Sequence, residues 1–178
     1  NNTMIILKYI DYAYTDIISI DVRTKIYDIL LKIFNNSKEL LNNILNLEGY
    51  TITGLSKEKL IIVFNGYSAS NGKTTFMNMI NKTLSNTYSF KLDNGCFNIK
   101  NENKRHKHIS NLNNILFSYM EELKSEQIDI SFLKLLSDGG CINNEQMYST
   151  TTPIYLKCIL HIASNIMMNF KNDCGIER

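Results

Sequence analysis

Three runs of consecutive apolar residues interrupt a chain that is otherwise patterned at helical spacing. They are Leu60-Ile61-Ile62-Val63-Phe64, Ile115-Leu116-Phe117-Ser118-Tyr119-Met120 and Cys158-Ile159-Leu160-His161-Ile162-Ala163-Ser164. Short runs without polar alternation predict strands buried on both faces, as in a parallel sheet covered by helices. Between them the period changes. Val22, Ile26, Ile29, Leu30 and Ile33 predict a helix from about Asp21 to Phe34, with Asp21 as its cap, and a second striped helix follows from Ser37 to Leu47. Phe76, Met79, Ile80 and Leu84 form one stripe of a helix after the first strand. Ile130, Leu133, Leu135 and Leu136 mark a short helix over residues 128–137. Tyr88 to Leu92 suits a short strand, and the segment from the turn at Gly139-Gly140 to Tyr155 suits a β-hairpin. Residues 1–20 alternate only loosely and predict no element.

Length and charge narrow the picture only a little. A chain of 178 residues can bury one substantial core without disulfide or metal staples. A net charge of +2 announces no nucleic-acid partner by itself, although a local basic lining can hide in a neutral total. The polar segment 93–111 carries Lys100, Lys104, Arg105 and Lys107 with His106 and His108. It reads either as solvated surface or as a surface that touches phosphates. Cys96, Cys141, Cys158 and Cys174 are widely spaced, with no Cys-x-x-Cys pair and no histidine at metal-ligand spacing. They read as free thiols of a reducing compartment. No apolar run reaches the roughly 20 residues that span a bilayer, and no signal peptide is evident, so the expectation is an intracellular protein without membrane contact. The single proline, Pro153, leaves long elements unobstructed.

The chemistry gathers at the ends of the predicted strands. The first run leads into Asn65-Gly66-Tyr67-Ser68-Ala69-Ser70-Asn71-Gly72-Lys73-Thr74-Thr75 and then a helix. Strand, small-residue loop, Gly-Lys-Thr and helix is the context of a phosphate-binding loop. There, backbone N–H groups and the helix dipole hold the phosphates. Ser70, Asn71, Gly72, Lys73, Thr74 and Thr75 are the expected nucleotide-binding residues, with the Thr74 hydroxyl on Mg²⁺. Tyr67 stands six residues before Lys73, where the usual pattern has glycine, and Gly66 lies one place early. The second run delivers Glu121 and Glu122, carboxylates suited to the shell of Mg²⁺ (Glu121 among its ligands) and to polarising an attacking water. The third run ends in Asn165, either a strand-end turn residue or an amide that positions the γ-phosphate or the water. His161, in mid-strand, reads as a satisfied core residue.

In that order the motifs resemble the superfamily 3 helicases, and in particular the NTPase part of the helicase–primases of poxviruses, giant viruses, phages and plasmids. Leu47-Glu48-Gly49-Tyr50-Thr51-Ile52-Thr53-Gly54 is similar to their Gly-Tyr…Thr-Gly segment. Ser70-Asn71-Gly72-Lys73-Thr74-Thr75 is similar to their Walker A core, and Glu121-Glu122 to the Walker B acids. Lys134 to Gly140 resembles a Lys-x-x-Thr-Gly-Gly-Asp stretch, Ser164-Asn165 the sensor motif, and Asp173 to Arg178 the run that carries an arginine finger. The likeness spans residues 45–178. Two departures stand out: Asn143, Asn144, Glu145 and Gln146 replace the usual basic residues of the hairpin, and Met168-Asn169 stand where proline is common.

The resemblance implies a three-layer α/β P-loop NTPase of AAA+ type, with the first strand near the centre of a parallel sheet. A helical segment, 1–47, would precede an ATPase domain, 48–178, that is incomplete at its C-terminus. It further implies ATP hydrolysis with Mg²⁺ and a ring, expected to be a hexamer, that moves single-stranded or duplex DNA in replication. A primase region would lie elsewhere in a longer chain, at a viral replication site in the host cytoplasm or, as the alternative, the nucleus, with Arg178 reaching a neighbour's γ-phosphate. Two other functions fit the same residues. One is a non-catalytic, nucleotide-dependent assembly module. The other is a small-molecule kinase, which the scarcity of arginine (Arg23, Arg105, Arg178) disfavours.

Overall fold

The computed structural model describes residues 10, 19–66, 71–98, 108–122, 129–144 and 152–165. Two helices come first: α1 spans Ile20–Ile33 and α2 spans Lys38–Ile52. Strand β1, Ile61–Asn65, leads through Gly72 into α3, Lys73–Tyr88, which passes directly into β2, Ser89–Lys91. After a 3₁₀ turn at Asn94–Phe97 come β3, Phe117–Glu121, and α4, Ile130–Asp138. The hairpin strands β4, Gly140–Asn144, and β5, Thr152–Leu156, precede β6, Ile159–Ser164.

β1, β6, β3 and β2 form one sheet in that order, and every neighbouring pair is parallel. The chain therefore leaves β1 for the far edge and walks back, so that β6 is paired on both sides. This explains its burial: all six residues of β6 are inside. Side-chain alternation sorts the core onto the two faces. Leu160 and Ile162 join Met120, Phe132, Leu133 and Leu136 in a cluster beneath α4 and the hairpin. Ala163, Phe117 and Tyr119 turn the other way, onto Met77 and Leu84 of α3. Beyond them Leu30, Phe34 and Leu41 of the first two helices close over Phe76, with Phe34 and Phe76 edge to face at 5.1 Å. Burying an aliphatic or aromatic side chain of this size stabilises by about 1.5–3 kcal/mol. The architecture is α/β, with a parallel central sheet between helical layers.

Several details differ from the sequence expectation, each for a local reason. β1 lies at the edge of the four described strands, not near the centre, and is not buried on both faces: Val63 is 43% exposed. Strand order is decided by the crossover, which a charge-free run does not encode. The cap of α1 is Ser19, whose hydroxyl accepts from the Val22 N–H at 3.3 Å. Asp21 sits inside the first turn instead, where a carboxylate still favours the helix dipole. α2 continues five residues past Leu47, through Gly49 to Ile52, because Leu41, Glu48 and Thr51 keep one face buried. Its predicted start holds, with the Ser37 hydroxyl accepting from the Leu40 N–H at 3.2 Å. The short strand after α3, the helix before the Gly-Gly turn and the hairpin all form as expected, β4 pairing antiparallel with β5. Cys96, Cys141 and Cys158 form no disulfide, and Cys174 lies outside the described residues. Burial pushes the Cys158 thiol above its ordinary value, with a hydrogen bond from Ser118 offsetting part of the rise.

Candidate functional site

Because β1, β6 and β3 are parallel neighbours, their C-terminal ends open onto the same side of the sheet. This is where open α/β sheets hold ligands. A cleft of about 440 Å³ lies there, lined by Asn71 to Thr75, Glu121, Glu122 and Ala163 to Asn165. Residues drawn from three separate stretches of sequence thus meet around one space. Of the expected site residues, Ser70 and Arg178 lie outside the described residues, as do Tyr67, the basic stretch 99–107 and the hairpin tip 145–151.

One lip is the start of α3. Its cap, Gly72, has φ +81° and offers no side-chain acceptor, so the first N–H groups of the helix keep their donors for something else. Two glycines shape this lip. A Cβ on Gly72 would sit 2.7 Å from Ile33 of α1, in a conformation that L side chains rarely adopt. A Cβ on Gly66 would collide with the Asn71 amide. The Gly66 N–H donates to Ser164 O at 3.1 Å, which ties the end of β1 to the end of β6.

Lys73 stands at the centre. Its ammonium donates to Asn71 Oδ1 at 2.7 Å, to Asn165 Oδ1 at 2.8 Å and to Gly66 O at 3.5 Å. All three acceptors are uncharged, so the positive charge is oriented but not neutralised. A helix N-terminus with free donors and an uncompensated lysine is a place for an anion.

The opposite lip is acidic and differently arranged. Glu121, at the end of β3, receives a hydrogen bond from Lys91 Nζ of β2 at 2.7 Å. That hydrogen bond is the main reason the Lys91 ammonium is held above its ordinary value of 10.5, against the opposing effect of partial burial. Lys91 also lies 5.8 Å from the ring centre of Tyr119, whose hydroxyl is pushed up chiefly by burial. Glu122 takes a positive φ of 54°. Its N–H donates to Ala163 O at 2.9 Å, and its carbonyl accepts from Asn94 Nδ2 at 2.9 Å. Lys91 and Asn94 escape sequence reading. Lys91 is in parallel register with Tyr119, so its meeting with Glu121 depends on β2 lying beside β3, which no local pattern announces.

The donor set can be tested against a metal. Among the described residues no three His, Cys, Asp or Glu side chains converge, so no all-protein cage exists there. A threonine hydroxyl and one or two carboxylates around a cleft are the hard oxygen ligands that Mg²⁺ uses when phosphates complete its shell.

The α/β class is thus defined by a parallel sheet with the cleft at its carboxyl ends. No family model matches the sequence, and no curated protein does. Solved structures do match. The apo structure of the NrS-1 C terminal region (305–718) superposes with a TM-score of 0.59 at 15% identity, over 83% of this chain and 35% of that one. Two A-form apo structures of the same region give TM-scores of 0.56 and 0.59 at 14% identity, over 79% and 78% of this chain and 32% of theirs. At such identity the likeness is one of fold, and the chain spans about a third of the solved chains it matches. No helix among the described residues is long and apolar enough to cross a membrane.

Proposed function

We propose that this chain is a nucleoside-triphosphate-hydrolysing motor unit of the superfamily 3 helicase type, acting on DNA in replication. The observation that carries the reading is the Lys73 ammonium, held by three neutral oxygens at an uncapped helix start across a cleft from two carboxylates. In this reading the N–H groups of Asn71 to Thr75 and the Lys73 ammonium bind the β- and γ-phosphates of ATP. Thr74 and Glu121 would hold Mg²⁺, which when bound supplies charge neutralisation at the phosphate oxygens. Glu122 accepts the proton of the attacking water. Asn165 exchanges its hydrogen bond from Lys73 for one to the γ-phosphate or the water, which makes β6 the element that registers the bound state. Arg178 would act on a neighbouring subunit of a ring, the role arginine fingers play in phosphoryl transfer. The parallel order β1-β6-β3-β2 and the fold likeness to the NrS-1 C terminal region support the assignment.

Steady-state ATP hydrolysis, with and without single-stranded DNA, tests it beside a Glu121→Gln/Glu122→Gln double variant. DNA-stimulated turnover that the variant loses supports a motor. A second reading, a nucleotide-dependent assembly module without turnover, is favoured by one observation: the Glu121 carboxylate is already engaged by Lys91. Nucleotide binding and nucleotide-dependent association without hydrolysis would select it.

A further inference from the structure

Behind the cleft, the first three helices leave a second cavity of about 180 Å³ between them, with Leu45 and Ile52 among its lining and Phe76, Met79 and Ile80 contributed by α3. Leu45 and Ile52 are exposed, at 41% and 54%, so the cavity opens to solvent at its apolar lip. The hydroxyls of Thr51 and Thr83, which also line it, donate to Leu47 O at 3.0 Å and Met79 O at 2.9 Å within their own helices. One charged group lines the cavity, Glu48, 8% exposed. Neither of its carboxylate oxygens has a hydrogen-bond donor. His161 Nε2, itself without a hydrogen-bond partner, lies 3.3 Å from Oε1, within ion-pair range but without hydrogen-bond alignment, and Oε2 meets no donor among the described residues.

Buried carboxylate oxygens are ordinarily satisfied, because an unmet one forfeits its hydration. A water finds few partners in the protein here, since the walls beside Glu48 are mostly hydrocarbon and the Thr51 and Thr83 hydroxyls already donate within their own helices. The size is close to that of a dry cavity that accepts benzene, about 150 Å³. We propose that this cavity is a binding site for a small organic cation with an apolar body, an aryl- or alkylammonium, whose ammonium pairs with Glu48 while its hydrocarbon fills the space between Phe76, Met79 and Ile80. The inference stands independently of the nucleotide reading. Its position also gives it reach: Phe76 is three residues from Lys73 on α3, and His161, beside Glu48, is four residues before Asn165 on β6.

The test uses the whole chain and benzylamine, protonated at neutral pH, with benzyl alcohol as the neutral comparison. Binding is followed by titration of the Met79 methyl resonance and by calorimetry. Benzylammonium is expected to shift that methyl saturably, at least tenfold tighter than benzyl alcohol. The preference should vanish in Glu48→Gln, and binding should be lost in Leu45→Trp, which fills the exposed lip and leaves Glu48 in place. Melting curves of both variants establish that they fold. Absence of a saturable shift overturns the proposal. So does equal affinity for the amine and the alcohol, or binding unchanged by Leu45→Trp.

Discussion

The two lips of the cleft each carry a lysine, and the lysines are in opposite electrostatic states. Lys73 is surrounded by amide and backbone carbonyl oxygens and has no carboxylate partner among the described residues. Lys91 is paired to Glu121 and cancels it. The basic lip is therefore ready for an anion as it stands, whereas one acid of the opposite lip must change partners before it can serve a cation. The difference separates two capacities usually treated as one: in the proposed function the basic side meets a phosphate as it stands, whereas full engagement of the acidic side requires Lys91 to release Glu121.

The largest expected effect lies on the acidic lip. Glu121→Gln/Glu122→Gln should lower ATP turnover by about 10²–10⁴-fold, the usual contribution of a positioned base, and leave nucleotide affinity within a fewfold. Loss of affinity to the same degree would erase the contrast between the lips. On the basic lip, Lys73→Ala should weaken nucleotide binding by about ten- to a hundredfold, since a charged hydrogen bond contributes about 1.5–3 kcal/mol and each 1.4 kcal/mol is tenfold. Equilibrium titration reads this directly.

Gly72→Ala attacks the shape of that lip without touching charge. Its φ of +81° and the 2.7 Å approach to Ile33 should cost about 1–3 kcal/mol in a denaturant melt and misplace the start of α3, so nucleotide affinity falls as well. The smallest effect belongs to Lys91→Met. Half of the Lys91 side chain is exposed, so the pair should contribute no more than about 1 kcal/mol to stability. Its pH dependence has a fixed sign. The lysine is held above its ordinary 10.5, so its stabilisation is fully present below that value and lost only as pH rises through the folded one. Wild type and Lys91→Met should therefore differ by a constant amount between about pH 6 and 9. In the same variant the freed Glu121 should lower the Mg²⁺ concentration needed for half-maximal turnover. An unchanged Mg²⁺ requirement would show that Lys91 does not compete with the metal.

Much of the fold was legible in the sequence, and the illegible parts share a cause. β3 and β6 stood out because strands paired on both sides have no polar face to interrupt the run. β1 reads the same way, yet Val63 is exposed, because edge or centre is decided by crossovers and not by the strand itself. α2 outran its predicted end, since Gly49 weakens a helix locally but Glu48 and Thr51 bury a face that holds it on. Asn71 to Thr75, Glu121, Glu122 and Asn165 were each readable as strand-end chemistry. The hydrogen bond from Lys73 to Asn165, which joins residues 92 positions apart, follows only from the pairing of β1 with β6. Lys91 was invisible for the same reason. His161 read as a satisfied core residue; it is fully buried, but only Nδ1 is met, 3.0 Å from Ile159 O, while Nε2 has no hydrogen-bond partner and faces Glu48, from a stretch read as lying beyond the helix.

In the proposed function the cleft binds a nucleotide phosphate through Lys73. Calorimetric titration of the whole chain with ADP and Mg²⁺, wild type beside Lys73→Ala, tests it most directly. One saturable site is expected in wild type, with at least about tenfold weaker binding in the variant. Equal affinity in the two proteins, or no saturable binding to wild type, would contradict it.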